Sequence, residues 1–190
     1  MRLLRYTVTI MLVTRYTNPN EVAQVEATYL STAKKTIDFA AYSLTHPAII
    51  SALLARAQAG VIIRLYLDRS ELEAEARGNP ALAQSPLSAL LNVPNITIKV
   101  KDSIILMHMK SYLLDGLTLR DGSANFSPLG EAEQDNSHII TDDFDAVNNF
   151  VNKFSSMWAR PDNLSVTEAI ERGRSYTIHH PGSPAAQPIV

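Results

Sequence analysis

The chain has 190 residues, of which 46% are hydrophobic and 19% are charged, and its 17 basic and 19 acidic residues give a formal net charge of -2. This composition excludes a disordered or fibrous chain, and it excludes a protein that coats nucleic acid or anionic membrane through its net charge alone. The absence of cysteine excludes disulfides, thiolate zinc sites and cysteine nucleophiles.

The first half of the chain alternates strand-like and helix-like segments. Residues 7–13 form a β-branched apolar run, which predicts a strand, and an amphipathic helix pattern follows it. A second strand is predicted within residues 35–44, a helix over residues 47–59 and a third strand over residues 61–68. Because strands that alternate with helices at this spacing form β-α-β units, the pattern predicts a largely parallel core.

The second half has the pattern of short antiparallel strands. Residues 69–94 are rich in Ala, Leu and Glu but broken by Gly and Pro, which predicts two or three short helices. The fold class expected from both halves is α/β, with a mixed β-sheet flanked by helices on both faces. The further predicted elements are strands at 96–100, 104–115, 117–124 and 137–141, and a helix at 143–159.

The ends of the chain differ from its middle. We expect residues 1–160 to form one catalytic domain and residues 161–190 to form a partly disordered C-terminal arm or tail, with a brief helix at 166–172. The N-terminal MRLLRYTVTIMLV is similar to the start of a signal peptide, but no small-x-small cleavage site follows it. No stretch approaches the roughly 18 to 20 apolar residues of a membrane-spanning helix. We therefore expect a soluble, cytoplasmic protein, with the periplasm or secretion as alternatives.

The residues with the most informative chemistry lie in two of the predicted strands. Side chains alternate along a strand, so His108 and Lys110 share one face, and Ser123 and Asn125 share a face by the same rule. If the two strands are neighbours, an imidazole, an ammonium, a hydroxyl and a carboxamide converge. That group suits a phosphodiester, since a histidine can attack phosphorus while the other three bind its oxygens. Asp115 has the other parity and lies at a turn, which favours a structural or supporting role.

The segment HMKSYLLD, followed by GLTLRD and GSAN, resembles the H-x-K-x4-D-x6-G-S-x-N signature of the phospholipase D superfamily. The span from about residue 7 to 160 is similar in layout to the small bacterial members. The resemblance implies that His108 is the nucleophile and that Lys110 and Asn125 bind the phosphate. It also implies that Ser123 assists in substrate binding and that Asp115, the aspartate of the motif, is a catalytic candidate.

One position departs from the family pattern. The family commonly has a carboxylate after the GSxN asparagine that orients the histidine, and here the stretch is EQDNS. A gapless count places Asn136 where the small nucleases have glutamate. Either Asp135 is the orienting anion through a slight shift, or the neutral amide of Asn136 takes that place. We favour Asp135 as the catalytic candidate and keep Asn136 as a candidate for substrate binding.

The number of motifs predicts the assembly. Family members with two motifs build one site between two half-domains, whereas this chain has one motif. Because one histidine must attack while a second protonates the leaving oxygen, we expect a homodimer with one shared site on its two-fold axis. The resemblance implies a phosphohistidine intermediate that water resolves, without a metal or another cofactor.

Three functions are compatible with these residues. The expected function is a metal-independent, sequence-tolerant endonuclease on DNA, or on RNA, because the short single-motif bacterial members are nucleases. The first alternative is a phospholipase D-type hydrolase of phosphatidyl lipids or cardiolipin, with a membrane lipid as the less favoured partner. It calls for an apolar entrance, which the leucines of residues 82–91 would supply, although we favour a packed helix pair for that stretch. The second is a catalytically silent nucleic-acid-binding module. Six acids near the motif argue against a duplex-binding groove: Glu131, Glu133, Asp135, Asp142, Asp143 and Asp145.

Other residues of chemical interest have simpler interpretations. His46 precedes Pro47 and is expected to begin a helix, while His138 is expected to pack on a strand. Trp158 is expected in the core of the last long helix rather than on a base-stacking platform. Lys99 and Lys101 share a strand face near the site, where they either track a phosphate backbone or face solvent.

Overall fold

The computed structural model describes residues 10–16, 22–76, 82 and 85–179. Its strands are β1 (Leu12–Tyr16), β2 (Thr36–Ala41), β3 (Ile62–Leu67), β4 (Ile96–Val100), β5 (Lys110–Leu114), β6 (Thr118–Gly122) and β7 (Ser137–Thr141). Its helices are α1 (Val22–Thr32), α2 (Pro47–Gln58), α3 (Arg69–Ala76), α4 (Pro128–Ala132), α5 (Phe144–Trp158) and α6 (Val166–His179), with a 3-10 helix at Pro86–Leu90.

One mixed sheet organises these elements, in the strand order β1-β7-β6-β5-β2-β3-β4. β2, β3 and β4 are parallel neighbours, whereas β5 runs antiparallel to β2, and β6 and β7 continue the antiparallel half. The predicted α/β class with a mixed sheet is therefore confirmed, with its parallel part at β2 to β4 and an antiparallel part at β5 to β7.

Helices cover both faces of the sheet because the central strands have apolar side chains on both sides. Ile37 and Phe39 of β2 belong to the main core cluster, which includes Leu30 of α1 and Leu53 of α2. Ala40, the residue after Phe39, faces the opposite side of the sheet and packs in a smaller cluster with the aromatic residues of α5. This alternation is the period of two expected for a strand that is buried on both faces.

The first strand differs from its prediction in position and partner. β1 covers Leu12–Tyr16 rather than 7–13, of which residues 7–9 lie outside the described residues. It pairs antiparallel with β7 at the edge of the sheet. Most of its side chains are exposed, which is compatible with an edge strand and not with a buried parallel core.

The strand predicted at 104–115 begins only at Lys110, so His108 lies in the loop before it. In this loop, side chains rather than a neighbouring strand form hydrogen bonds with the backbone peptide groups. The Lys101 ammonium donates to the carbonyls of Ile105 and Leu106 at 2.6 and 3.1 Å, and Asp68 Oδ2 accepts the N–H of Met107 at 2.6 Å. The strand predicted at 117–124 likewise ends at Gly122, before Ser123.

The leucine-rich stretch does not form the apolar entrance that the lipid alternative called for. Leu82, Leu87 and Leu90 are all buried in the main core. The favoured interpretation of this stretch as packed helical structure is therefore supported, and the entrance at residues 82–91 is wrong because these leucines face the core.

The chain beyond residue 160 contributes to the same core. Leu164, Ala169 and Ile170 are buried in the main cluster, and Leu164 pairs with Val100 through two backbone hydrogen bonds of 2.9 Å. α6 extends from Val166 to His179, past the predicted 166–172, and residues 180–190 of the expected tail lie outside the described residues. No helix within the described residues is long and apolar enough to cross a membrane.

Candidate active site

The four central motif residues lie at one end of the sheet, where the strand directions bring them together. β2 ends at Ala41, which pairs with Lys110 at the start of β5, and β6 ends at Gly122 beside the start of β7. Tyr42 donates its N–H to the carbonyl of Met109 at 2.9 Å, which ties the loop of His108 to the end of β2. Because β5 runs opposite to its neighbours, its first residues meet the last residues of β2 and β6.

Lys110 supplies a buried positive charge to this end of the sheet. Its side chain is only 4% exposed, and its ammonium donates to the His108 carbonyl at 2.9 Å and lies 4.9 Å from the centre of the Tyr42 ring. Burial lowers the pKa of Lys110 to about 8, assisted by Arg120 and opposed by the carboxylates of Glu71 and Asp68. The ammonium is therefore charged at neutral pH, when it can neutralise a phosphate oxygen.

His108 is exposed at the surface in front of this lysine. Its imidazole packs edge-on against the Tyr42 ring, with 4.6 Å between the ring centres. Burial and the Lys110 charge lower the pKa of His108, while Asp68 works in the opposite direction. A neutral imidazole at neutral pH has the free lone pair that a nucleophile needs.

Ser123 is positioned by the first residues of β7. Its hydroxyl donates to Asn136 Oδ1 at 2.9 Å and accepts the N–H of Ser137 at 3.0 Å. A Cβ on Gly122 would lie 2.3 Å from the Ser137 carbonyl oxygen, so the close approach of β6 and β7 at this point requires glycine. The GS pair of the motif therefore has a steric reason as well as a chemical one.

Asn125 is fixed by the short helix α4. A Cβ on Gly130 would lie 2.4 Å from the carbonyl oxygen of Asn125, so only glycine allows the helix to pack this closely. Asn125 Oδ1 is buried and has no hydrogen-bond partner among the described residues. Because that oxygen can only accept a hydrogen bond, contact between Asn125 and a phosphate oxygen has to come from the amide N–H groups.

The remaining candidates, Asp115, Asp135 and Asn136, lie in different surroundings. Asp115 lies beyond the far end of β5, where its carboxylate accepts the backbone N–H groups of Lys34, Lys35 and Thr36 at 2.8, 2.7 and 2.9 Å. Asp135 is exposed, whereas Asn136 is the residue that contacts Ser123. The carboxylate whose charge acts on the pKa of His108 is that of Asp68.

Sequence reasoning missed three residues at this end of the sheet, namely Tyr42, Asp68 and Glu71. Glu71 hydrogen-bonds to Tyr42 and Ser43, and its pKa is raised mainly by burial; burial and Glu71 in turn raise the pKa of Tyr42 to about 12. Tyr42 and Asp68 each follow the last residue of a buried strand, and that position was the available signal. Glu71 lies in the first turn of α3 and has no comparable signal.

His46, His138 and Trp158 have the structural roles that the sequence predicts. His46 caps α2 by accepting the N–H of Ala48, His138 is buried on β7, and Trp158 stacks on Phe154 in α5. Lys99 donates to the Trp158 carbonyl at 2.8 Å. Within the described ranges, no cluster of three or more histidine or carboxylate side chains is arranged to hold a metal ion.

A family model and one curated relative match most of this chain. Residues 27–158 match the family model described as "Cardiolipin synthase, PLD-like domain". The mitochondrial cardiolipin hydrolase of Danio rerio is 24% identical over 146 residues, which is 77% of this chain, and the chain spans only 61% of that relative's length.

Two solved structures share the fold. Nuc from Salmonella typhimurium, a phospholipase D family member, has a TM-score of 0.67 at 21% identity, over 82% of this chain and 99% of that one. NucT from Helicobacter pylori has a TM-score of 0.62 at 19% identity, over 78% and 96%.

Proposed function

We propose a specific function for this chain, which belongs to the phospholipase D superfamily of phosphodiesterases. The proposed function is that of a metal-independent, sequence-tolerant endonuclease that acts on DNA or RNA as a homodimer. The observation that carries the proposal is the single group of His108, Lys110, Ser123 and Asn125 at one end of the sheet. The chemistry uses two histidines, and the sequence has one motif. A second copy would supply the other histidine at a shared two-fold site.

In the proposed first step, a ring nitrogen of neutral His108 attacks phosphorus. The N–P bond forms while the P–O bond to the leaving group breaks, and His108 of the second copy, which must enter this step as an imidazolium, donates a proton to the leaving oxygen. Lys110 and Asn125 bind the nonbridging oxygens, whose negative charge grows in the transition state.

In the second step, water replaces the histidine. The second copy's imidazole, now neutral, accepts a proton from water as the water oxygen attacks phosphorus and the N–P bond breaks. The net reaction consumes one water and converts a phosphodiester into a phosphomonoester and an alcohol. Each histidine returns to its starting protonation state.

The acids near the motif are a weaker objection to a polyanionic substrate than the sequence suggests. Glu131 is buried with Oε1 3.8 Å from Arg120 Nη2, Asp143 caps the N-terminus of α5, and Asp142 accepts the N–H of Met11. Three of the six acids are therefore engaged in the protein's own structure.

Cations on the same side as Asp68 support a polyanion as substrate. Burial lowers the pKa of Lys101, and the charges of Arg160 and Lys153 lower it further, which indicates that these three cations are neighbours. Lys101 lies beside the site, because its ammonium donates to the carbonyls of Ile105 and Leu106 in the loop that leads to His108. Flanking phosphates of a nucleic acid strand would find positive charge there.

The lipid alternative is favoured by a different observation. Ile104 and Ile105, in the loop that leads to His108, are 90% and 73% exposed. Two adjacent exposed isoleucines beside a phosphodiester site suit contact with acyl chains. The relative from Danio rerio is described as a cardiolipin hydrolase.

The test is a substrate panel in excess EDTA, with single-stranded DNA, double-stranded DNA, RNA and cardiolipin vesicles. We compare the wild type with His108→Ala and with the matched control His46→Asn, which removes a histidine outside the motif and retains a residue that caps helices. We expect the wild type and the control to cut nucleic acid, and His108→Ala to lose at least about a thousandfold in rate, as removal of a covalent nucleophile typically causes.

Other outcomes would contradict the proposal in different ways. Hydrolysis of the vesicles with intact nucleic acids would replace it with the lipid alternative. Cleavage that EDTA abolishes would contradict the metal-free mechanism. No cleavage of any substrate would favour the silent module and would direct attention to Asn136.

A further inference from the structure

The strands that carry the motif separate at the site. The pairing of β5 with β6 runs from Leu114↔Thr118 to Tyr112↔Arg120, whereas Lys110 lies farther along β5, past the last pair. Side chains bridge the gap on both faces of the sheet. Arg120 Nη1 donates to the carbonyl of Lys110 at 2.5 Å, and on the opposite face Ser111 Oγ donates to Asp121 Oδ1 at 2.5 Å.

Arg120 is itself fixed by a residue of α1. Its guanidinium is fully buried, and its Nε donates to Glu26 Oε1 at 2.6 Å. The hydroxyl of Tyr112 donates to Glu26 Oε2 at 2.6 Å, and His138 Nδ1 lies 3.1 Å from Oε1. Burial acts to raise the pKa of Glu26, but Arg120, His138 and Tyr112 together hold it below its usual value, so the pair is ionised.

These contacts continue to the nucleophile. Glu26 holds Arg120, Arg120 holds the carbonyl of Lys110, and the Lys110 ammonium holds the carbonyl of His108. A buried ion pair of this kind is commonly no more stabilising than well-packed apolar residues of the same volume. Its location therefore suggests a role other than stability.

We propose that Glu26 and Arg120 are positioning residues of the phosphodiesterase site. The pair holds the first residue of β5 across the gap and so determines where the Lys110 ammonium and the His108 ring meet the phosphate. This inference rests on the hydrolytic step of the proposed function, and it is the same for a nucleic acid and for a lipid substrate.

The test uses the double variant Glu26→Gln/Arg120→Met, which removes both charges of the pair and leaves neither partner's charge stranded. The matched control is Asp38→Asn/Arg64→Met. That pair also joins an arginine to a carboxylate through two hydrogen bonds of 2.6 Å, but it links neighbouring strands β2 and β3. It lies against Phe154 of α5, and its side chains are 37% and 15% exposed, so it controls for loss of an ion pair and not for loss of a fully buried one. The kinetic probe is bis(p-nitrophenyl) phosphate, whose hydrolysis is measured at equal folded fraction.

We expect kcat of the double variant to fall at least about tenfold, within the range seen when a hydrogen bond that orients a catalytic group is lost, while kcat of the control changes less than twofold. A second readout is the pH profile. Arg120 lowers the pKa of Lys110, whose other charged neighbours are Glu71 and Asp68. Loss of Arg120 should therefore move the alkaline limb of the double variant to higher pH, which a purely structural role would not do.

Each remaining outcome is decisive. A folded double variant with wild-type kcat would overturn the positioning role, whether or not its alkaline limb moves, while leaving the proposed hydrolase intact. A wild type that leaves the diester untouched would overturn the proposed function and this inference with it. If the double variant does not fold, Glu26→Gln alone serves, since it keeps one oxygen for Arg120. A smaller kcat loss in that variant supports the role, and unchanged kinetics overturn it.

Discussion

The attacking His108 and its neighbour Lys110 have the protonation states that the first step needs because of where they lie. Burial and the lysine charge keep the pKa of His108 below its usual value, so the imidazole is neutral at pH 7. Burial also lowers the pKa of Lys110, but only to about 8, so the ammonium keeps its charge. One residue is therefore ready to attack and the other to bind an anion at the same pH.

This arrangement predicts an alkaline limb in the pH profile of kcat/KM. Lys110 loses its charge as the pH rises through about 8, so activity should fall there. Lys110→Arg should keep the charge at all accessible pH values and remove that limb, because guanidinium does not titrate in proteins. Lys99→Arg is the matched control. A limb near pH 8 that persists in Lys110→Arg would assign it to another group.

Among single residues, the sequence predicted those whose spacing forms a motif and missed those brought in by the fold. His108, Lys110, Ser123 and Asn125 follow one another along two strands, so their spacing is visible in the sequence. Glu26 and Arg120 look like ordinary solvent-facing positions, because charged residues are rarely fully buried unless paired. Their pairing depends on packing between α1 and β6, which no local pattern records.

The turn between β5 and β6 and the loop before β2 form one unit through Asp115. Asp115 and Gly116 have φ values of 54° and 71°, a left-handed pair that suits a tight hairpin. The Asp115 carboxylate accepts three N–H groups of the loop after α1. These hydrogen bonds lower the pKa of Asp115 against the opposing effect of burial. Asp115, the aspartate of the motif, thus joins two elements at the end of the sheet opposite the site.

We expect Asp115→Asn to reduce the free energy of unfolding by roughly 1–3 kcal/mol, as expected for lost charge-assisted hydrogen bonds, with kcat per folded molecule unchanged. Because its pKa is lower in the folded state, the stabilisation from Asp115 is present above the unfolded pKa of about 4 and is lost as the pH falls further. Urea unfolding at pH 7 and pH 3 measures both effects, with the exposed Asp162→Asn as control. A large fall in kcat with unchanged stability would instead assign Asp115 to the chemistry.

At the level of elements, the local sequence pattern predicted which strands exist better than it predicted where each strand begins and ends. Apolar runs and the turn residues between them identified β2 to β7, but β5 is shorter than predicted, and in the residues before it Lys101 and Asp68 satisfy the peptide groups of residues 105–107. The position of β1 next to β7 depends on contacts between opposite ends of the chain. Neither effect has a signature within a window of neighbouring residues.

For the whole molecule, the central question is how one motif performs a reaction that uses two histidines. The described structure gathers one His108 group at an open end of the sheet, with cations and two exposed isoleucines beside it. The proposed homodimer completes the group and leaves these features around its rim. Net charge is a poor guide here, because several acids near the motif are engaged in the fold.

The most direct test of this account is a subunit-mixing experiment. Wild type and His108→Ala are unfolded together, refolded at varied ratios, and assayed on the best substrate of the panel, with mixed dimers verified by native mass spectrometry. If each site needs a histidine from both copies, activity should follow the square of the wild-type fraction, so an equal mixture should retain about a quarter of the activity. Activity proportional to the wild-type fraction, about half in the equal mixture, would contradict a shared site and show that one His108 is sufficient.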